Sequence, residues 1–487
     1  MPEAARRVSI VGLGKLGAPL AAALANRGLT VVGVDARWEV VQALGAGSPP
    51  VDEPGLPEAL AAAAGRLSAT DDAQEAVLRT EVTFVVVPTP SDESGAFSLE
   101  LAQDAFREIG RGLRRKDGWH LVVLTSTVLP GATRHALVPL LEEASGKRCG
   151  QGFGVCYSPA FIALGSVIRD FLNPDFVLVG ESDSRAGDAL EALYREVLQN
   201  GAPIRRMSLE NAELAKIGVN TFVTTKIAFA NMLADLCERI PGGDVDVVTE
   251  ALGLDRRIGP SYLKGGLGYG GPCFPRDNQA LVFLARALGT SAPLAEATDR
   301  SNQDLALRVV TRLRQTAQAH RSVAVLGLAY KPGTPVIEAS QGVWLARALA
   351  RAGARVRAYD PLAGPSARQE LAADVMVTDS AEEALRDAEV VLVCTPDPVF
   401  RNLPLAAFNG RPYEVTVIDF WRTLSGLEGK PGIRYTPAGR FAKEDPAAAH
   451  VMRMWSEGAE SPPSSTGSEE RTGAAPAEKA VTAGSDG

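Results

Sequence analysis

Val8-Ser9-Ile10-Val11-Gly12-Leu13-Gly14-Lys15-Leu16-Gly17 is the stretch on which the fold turns. Its apolar, β-branched start reads as a buried strand, and Lys15 to Arg27, rich in Ala and Leu, reads as a helix. Between them lies a G-x-G-x-x-G. Alone that pattern is weak. Here a strand precedes it, a helix follows, and Asp35 closes the next apolar run, Thr30 to Val34, which together predict a dinucleotide-binding βαβ unit. The glycines allow a tight turn and close approach of backbone to a pyrophosphate, and the helix N-terminus supplies N–H donors and a favourable dipole. Asp35 stands where a carboxylate bonds ribose hydroxyls and repels a 2′-phosphate, so NAD is favoured over NADP.

Working outward, Thr83 to Val87, ended by Pro88-Thr89-Pro90, is a strand candidate, as are Leu121 to Leu124 and Phe176 to Val179. Strands alternating with helices predict a parallel, doubly wound sheet. The middle changes character. Ser208 to Glu238 is a long helical pattern with an N-cap serine, and Asp244 to Leu252 and Asn278 to Leu288 are helical too. Between the last two runs Gly265-Gly266-Leu267-Gly268-Tyr269-Gly270-Gly271-Pro272-Cys273, too rich in glycine for a regular element. The last third repeats the first: Val323 to Leu328 matches Val8 to Leu13, Arg355 to Asp360 matches Val31 to Asp35, and Val391 to Pro396 matches Phe84 to Pro90. The expected architecture is α/β, with two Rossmann-type doubly wound domains joined by a helical central domain. Its expected limits are 1–205 for the NAD-binding domain, 206–315 for the central domain with the Cys273 loop, and 316–455 for a C-terminal α/β domain. Residues 456–487, rich in Ser, Gly, Pro, Glu and Ala, are expected to be disordered. The second fingerprint, Gly327-Leu328-Ala329-Tyr330-Lys331-Pro332, lacks the glycine pattern and has gained a lysine, which suits a nucleotide diphosphate better than a dinucleotide.

Composition bounds the function. With 487 residues, 46% hydrophobic and 22% charged, the chain has material for several cores. A net charge of −8 argues against nucleic-acid binding, but a local basic pocket for an anionic substrate is compatible with it. The four His, at 120, 135, 320 and 450, have no metal-ligand spacing, so no metal site is expected. The five Cys are scattered without a Cys-x-x-Cys, which suits a reducing cytoplasm. No apolar run reaches the roughly 18 residues of a membrane span, and no secretory leader is visible.

Cys273 follows the glycine-rich loop in Gly271-Pro272-Cys273-Phe274-Pro275-Arg276-Asp277. Most lone cysteines are inert packing elements; one presented by a flexible loop beside a cation is a candidate nucleophile, because the cation favours thiolate. Lys216 and Asn220, four apart on the long helix, share a face among apolar neighbours. They suggest an internal polar site, against the alternative of a snorkelling lysine with an exposed Asn.

Several motifs occur in one order: the Gly12 fingerprint, Val87-Pro88-Thr89-Pro90, Ser126-Thr127-Val128-Leu129-Pro130-Gly131, and Glu213-Leu214-Ala215-Lys216 with Asn220. Then come Leu254-Asp255-Arg256-Arg257-Ile258-Gly259, Gly268 to Asp277, and Gly327 to Pro332. From about Val8 to Asp419 the chain resembles the UDP-glucose/GDP-mannose dehydrogenase family, the four-electron nucleotide-sugar dehydrogenases. The resemblance implies NAD-dependent oxidation of a nucleotide-diphosphate hexose at C6, a UDP-hexose being favoured, through a thiohemiacetal and a thioester on Cys273. It makes Lys216 and Asn220 stabilisers of the oxyanion, gives Asp277 an orienting or proton-transfer role, and lets Thr127 hold water or nicotinamide. The cofactor contacts would be Gly12, Leu13, Gly14, Lys15, Leu16, Gly17, Asp35, Pro88, Thr89, Ser126 and Thr127. The substrate contacts would be Lys216, Asn220, Arg257 (from the neighbouring subunit), Lys264, Tyr269, Gly270, Tyr330 and Lys331. The long helix would form a homodimer core.

The chain departs from the family pattern at telling places. Ala160 stands in Tyr157-Ser158-Pro159-Ala160-Phe161 where the family has a Glu that serves as general base, a role worth about 10²–10⁴ in rate. Leu164 stands at a second position that is often Glu. Arg276 replaces a common Lys, Glu338 replaces an Arg near the cofactor, and Asp419-Phe420-Trp421-Arg422 replaces Asp-Gly-Arg-Asn. Three outcomes follow: complete oxidation; oxidation stalled at the aldehyde or thioester; or a non-catalytic sugar-nucleotide binder. A β-hydroxyacid dehydrogenase would fit the first domain, but the third domain and the Cys273 motif argue against it.

Overall fold

The computed structural model describes residues 6–92, 94–315, 321–441, 449, 451, 453 and 454. The expected disordered tail lies outside the described residues. The first sheet holds eight strands: β1 (Arg7–Val11), β2 (Thr30–Val34), β3 (Leu67–Thr70), β4 (Val82–Val85), β5 (His120–Leu124), β6 (Phe153–Tyr157), β7 (Val177–Glu181) and β8 (Ile204–Ser208). Their order is β3-β2-β1-β4-β5-β6-β7-β8, so the strand order reverses between β1 and β4, where a ligand crevice forms at the strands' C-terminal ends. The second sheet holds β9 (Ser322–Leu326), β10 (Arg355–Tyr359), β11 (Met376–Val377), β12 (Val390–Val393), β13 (Val415–Asp419) and β14 (Ile433–Pro437), in the order β11-β10-β9-β12-β13-β14. Between the sheets run helices Leu209–Arg239, Val245–Gly253, Phe274–Ala287 and Pro293–Gln315. Two doubly wound domains thus flank a helical region. Among the described residues no helix is long and apolar enough to cross a membrane.

Alternation along β1 explains the two cores of the first sheet. Val8 and Ile10 pack with Leu20 and Leu24 on one face, while Val11 packs with Val34, Phe106 and Ile109 on the other. Every strand pair is parallel except β6 and β7, which run antiparallel at Cys156–Glu181 and Tyr157–Gly180. That one pair departs from the all-parallel expectation. Three strands carry too little apolar signal to be read from sequence. β3 (Leu-Ser-Ala-Thr) and β8 (Ile-Arg-Arg-Met-Ser) are edge strands, where polar residues are favoured, and β6 is interrupted by Gly154.

A buried polar chain crosses the first sheet. Ser9 Oγ lies 2.7 Å from Thr83 Oγ1, which lies 2.8 Å from His120 Nε2. Burial, aided by Lys116, pulls the His120 pKa from 6.5 down to about 3. The folded state therefore holds a neutral imidazole that the unfolded chain protonates below pH 6.5. This contributes on the order of 4 kcal/mol, present in full above pH 6.5 and lost as the pH falls toward 3. Denaturant unfolding of His120→Leu between pH 7 and 4 should show a shallower loss of stability than the parent. Parallel curves would count against this account.

The second sheet is fastened to the helical region by buried charge. Arg422 donates to Asp246 through Nε (3.0 Å) and Nη2 (2.7 Å), and Arg440 Nε reaches Asp244 at 2.9 Å. Trp421 Nε1 donates to Cys394 O at 2.8 Å, and its ring closes over Gly266. The divergent Phe420-Trp421-Arg422 stretch is thus a domain seam.

Candidate active site

The turn after β1 has the geometry its glycines predict. Gly12 lies at φ +97°, and a Cβ on Gly17 would fall 1.8 Å from Gly12 O, so helix Gly17–Asn26 starts against the turn itself. A Cβ on Gly14 would meet nothing within 4 Å, which leaves open the space a pyrophosphate needs. No acidic side chain occupies the helix's first turn, and Lys15 is exposed beside it. Asp35 accepts from Leu13 N at 2.9 Å and from Arg37 N and Nε at 3.0 and 3.1 Å. Burial pushes its carboxyl up, but the Arg37 and Leu13 donors outweigh that and hold it below its ordinary value. Arg37 is a partner the sequence reading missed, although a cation two residues after Asp35 was a visible signal. The residues present therefore fit NAD: N–H donors at the helix start, open backbone at Gly14, and an ionised carboxylate for the ribose.

The far wall of the crevice is tied together by hydroxyls. Thr89 Oγ1 donates to Thr127 O at 2.7 Å, and Ser126 Oγ donates to Val87 O at 2.6 Å. Pro88, Thr89, Ser126 and Thr127 are thereby gathered at the ends of β4 and β5. Behind them Glu213, wholly buried, accepts from Gly131 N (2.6 Å) and Thr133 N (2.9 Å). It anchors the 126–133 loop to the long helix. Its place three residues before Lys216, on the same helical face, could have flagged it.

Lys216 is an internal cation rather than a snorkelling one. It is 8% exposed, its Nζ donates to Ala160 O at 2.9 Å, and it lies 4.4 Å from the Phe161 ring centroid. Burial draws its pKa down, while Asp277 and Cys273 push it up. Asn220 Nδ2 donates to Asp277 Oδ2 at 2.6 Å, and Arg276 Nε reaches Asp277 Oδ1 at 3.4 Å. Asp277 is fully buried; burial raises its pKa, and Arg276, Asn220 and Lys216 oppose the rise. Arg276 also spans toward the first sheet, with Nη1 3.5 Å from Thr89 O and its guanidinium 4.8 Å from the Phe97 ring centroid.

Cys273 sits at the head of helix Phe274–Ala287 and is the exposed thiol of the five; Cys149 is half-buried and Cys156, Cys237 and Cys394 are buried. The cation expected beside the thiol is present, since the Arg276 charge draws the Cys273 pKa down. The cleft walls strip water from the sulfur and raise its pKa; Arg276 and Lys216 oppose this, and Asp277 and Glu338 reinforce it. On balance the Cys273 pKa lies above its ordinary value.

The remaining predicted contacts divide. Tyr330 packs its ring on Gly271, and Lys331 Nζ donates to Leu164 O at 2.9 Å, so both meet the cleft. Gly270 is buried against Ala339 O. Tyr269 is only 4% exposed and its hydroxyl is engaged by Asp299 and Asn278, a buried network the sequence reading did not foresee. Lys264 is exposed, and Arg257 is exposed and paired with its own Asp255, so this chain does not bring Arg257 to its own Cys273.

The second fingerprint is stretched rather than lost. Gly327 lies at φ +101°, and a Cβ on Gly342 would fall 2.1 Å from Gly327 O, the contact Gly17 makes with Gly12. Asp360 accepts from Leu328 N at 2.8 Å, as Asp35 does from Leu13 N. Residues 328–341 are inserted between the paired glycines and reach into the cleft. Sequence reading looked for the third glycine at its usual spacing and so missed Gly342.

The chain matches the UDP-glucose/GDP-mannose dehydrogenase family in three parts: its NAD-binding domain over residues 6–198, its central domain over 210–304 and its UDP-binding domain over 324–426. It is 40% identical over 426 residues to a UDP-glucose 6-dehydrogenase of Haloferax volcanii, covering 87% of this chain and 98% of that one. It is 34% identical over 441 residues to a GDP-mannose 6-dehydrogenase of Pseudomonas putida, covering 87% and 97%. The solved UDP-glucose dehydrogenase of Pyrobaculum islandicum superposes with a TM-score of 0.82 at 37% identity, over 90% of this chain and 98% of that one. The chain belongs to the UDP-glucose/GDP-mannose dehydrogenase family, and NAD is its cofactor.

Proposed function

We propose that this protein oxidises the C6 hydroxyl of a UDP-hexose to the uronate in two steps, with Cys273 as covalent nucleophile. The observation that carries the reading is the exposed Cys273 thiol ringed by Lys216, Arg276 and the Asn220–Asp277 pair. The higher identity to a UDP-glucose 6-dehydrogenase, 40% against 34% for a GDP-mannose 6-dehydrogenase, supports a uridine nucleotide. NAD, which the Gly12–Gly17 turn and Asp35 would hold, would supply the hydride acceptor for each of the two oxidations. The sulfur adds to the aldehyde carbon, and Lys216 stabilises the oxygen that gains charge. Oxidation of the thiohemiacetal leaves a thioester, which water cleaves to the uronate and free Cys273. Asp277, held by Asn220 and Arg276, fixes the polar floor of the cleft. Purified enzyme given NAD and a panel of UDP- and GDP-hexoses should form two NADH per uronate released. Absence of NADH with every sugar nucleotide would sink the reading.

One observation favours a second reading, an enzyme that stalls at the thioester. Ala160 brings no carboxylate, and its carbonyl is taken by Lys216. Intact-protein mass after incubation separates the two: a stalled enzyme carries an acyl adduct on Cys273, and a complete one does not.

The assembly we infer is a homodimer through the long helix. Phe222, Phe229, Leu236 and Ile240 lie along one stripe of Leu209–Arg239 and its end and are 65%, 45%, 47% and 44% exposed. Val247 and Leu254 extend the apolar surface at 65% and 85% exposure. Surface of that kind marks an interface. Phe222→Asp with Phe229→Asp should halve the mass seen by light scattering; an unchanged mass would exclude this face. The five free thiols fit a reducing compartment such as the cytoplasm.

A further inference from the structure

The 328–341 insertion bridges the two walls of the cleft. On one side Lys331 Nζ holds Leu164 O at 2.9 Å, and Gly333 O lies so near Gly165 that a Cβ there would come within 3.2 Å. On the other side Gly271 N donates to Glu338 O at 2.9 Å, and Gly270 is pressed on Ala339 O, where a Cβ would fall 2.3 Å away. Glu338 is thus fixed beside the backbone two residues before Cys273, on the loop that also touches the segment just after Ala160. Its side chain is exposed and has no hydrogen-bond or ion-pair partner among the described residues. Ala339, next to it, lies at φ +50°, a left-handed conformation that a residue with a Cβ adopts at a cost and that collects at functional sites. The other carboxylate at the thiol, Asp277, is fully buried and already bonded by Asn220 and Arg276. The negative charge of Glu338 bears on both the Tyr330 hydroxyl and the Cys273 thiol.

We propose that Glu338 is the general base of thioester hydrolysis, a carboxylate supplied by the insertion in place of the one absent at Ala160. This rests on the four-electron reading above. Water oxygen bonds to the thioester carbonyl carbon while Glu338 takes a water proton. The tetrahedral oxyanion then collapses, the carbon–sulfur bond breaks with its electron pair on Cys273, and the uronic acid leaves, ionising to uronate by giving water's second proton to solvent. The proton on Glu338 passes to the thiolate or to solvent, so atoms and charge balance.

The test uses the full chain with NAD and either UDP-glucose or GDP-mannose, whichever the parent oxidises. Glu338→Gln should lower steady-state uronate release about 10²–10³-fold. It should accumulate an acyl adduct on Cys273 in intact-protein mass, absent from the parent and from the Cys273→Ala/Glu338→Gln double variant. Adding Ala160→Glu to Glu338→Gln should recover at least tenfold. Parental turnover without adduct in Glu338→Gln overturns the inference alone, as does lost turnover with neither adduct nor recovery by Ala160→Glu. A parent that forms no NADH with these or any other UDP- or GDP-hexose of the panel overturns the underlying reading and this inference with it.

Discussion

Cys273→Ala is expected to stop uronate formation, lowering the rate by about 10⁴-fold or more, the scale seen when a covalent nucleophile is removed. No other thiol can stand in. Cys156 and Cys394 are buried in the two sheets, with pKa values that burial raises well above the ordinary range. The first oxidation needs no sulfur, so at most one NADH per sugar should remain where the parent makes two. Because Cys273 is exposed, stability should move by no more than about 0.5 kcal/mol, which separates lost chemistry from lost folding. The raised thiol pKa adds a signature. Alkylation by iodoacetamide should be slow at pH 7 and speed up as the pH rises, because the thiolate is the reacting form. Parental uronate release from Cys273→Ala would refute the covalent route.

What could be read from sequence had a local cause. Gly17 is pressed on the carbonyl of Gly12, five residues back, so spacing alone specified that contact, whereas Gly12 is also pressed on Val86 O, far along the chain. Asn220 and Lys216 share a face because a helix has a fixed period, and both do face inward. The long helix begins where Ser208 caps it, with its hydroxyl accepting from Asn211 N at 3.3 Å. What could not be read came from residues far apart. The rise in the Cys273 pKa is a property of cleft walls built from three regions of the chain. Gly342 does the work of Gly17 across an insertion, so no fixed spacing could find it. Tyr269 turned inward because Asp299 and Asn278, from two different helices, offered its hydroxyl partners. Arg422 stood out in sequence only as part of a departure from the family pattern, because its partner Asp246 lies far back in the chain.

Lys216→Met should lower kcat about 10²–10³-fold, the effect of deleting one preorganised donor to a developing oxyanion. The ammonium is worth this much because it is already in place and dry: 8% exposed, held by Ala160 O and lodged over Phe161. Stability should behave differently. Burial of a charge opposes folding, as the lowered Lys216 pKa shows, and Met fills a similar volume beside the Phe161 ring without that opposition. The variant should therefore melt no lower than the parent while turning over far more slowly. The KM for NAD should change little, since Lys216 makes no contact with the Gly12–Gly17 turn. Lys216→Arg should not restore the rate, because a planar guanidinium cannot occupy the place of a compact ammonium. The pH profile supplies a further check. With its pKa drawn below 10.5, Lys216 loses its proton earlier than a free lysine, so kcat of the parent should decline on the alkaline side. That decline should be absent from the residual activity of Lys216→Met. A variant retaining kcat within threefold of the parent would show that the oxyanion is stabilised elsewhere.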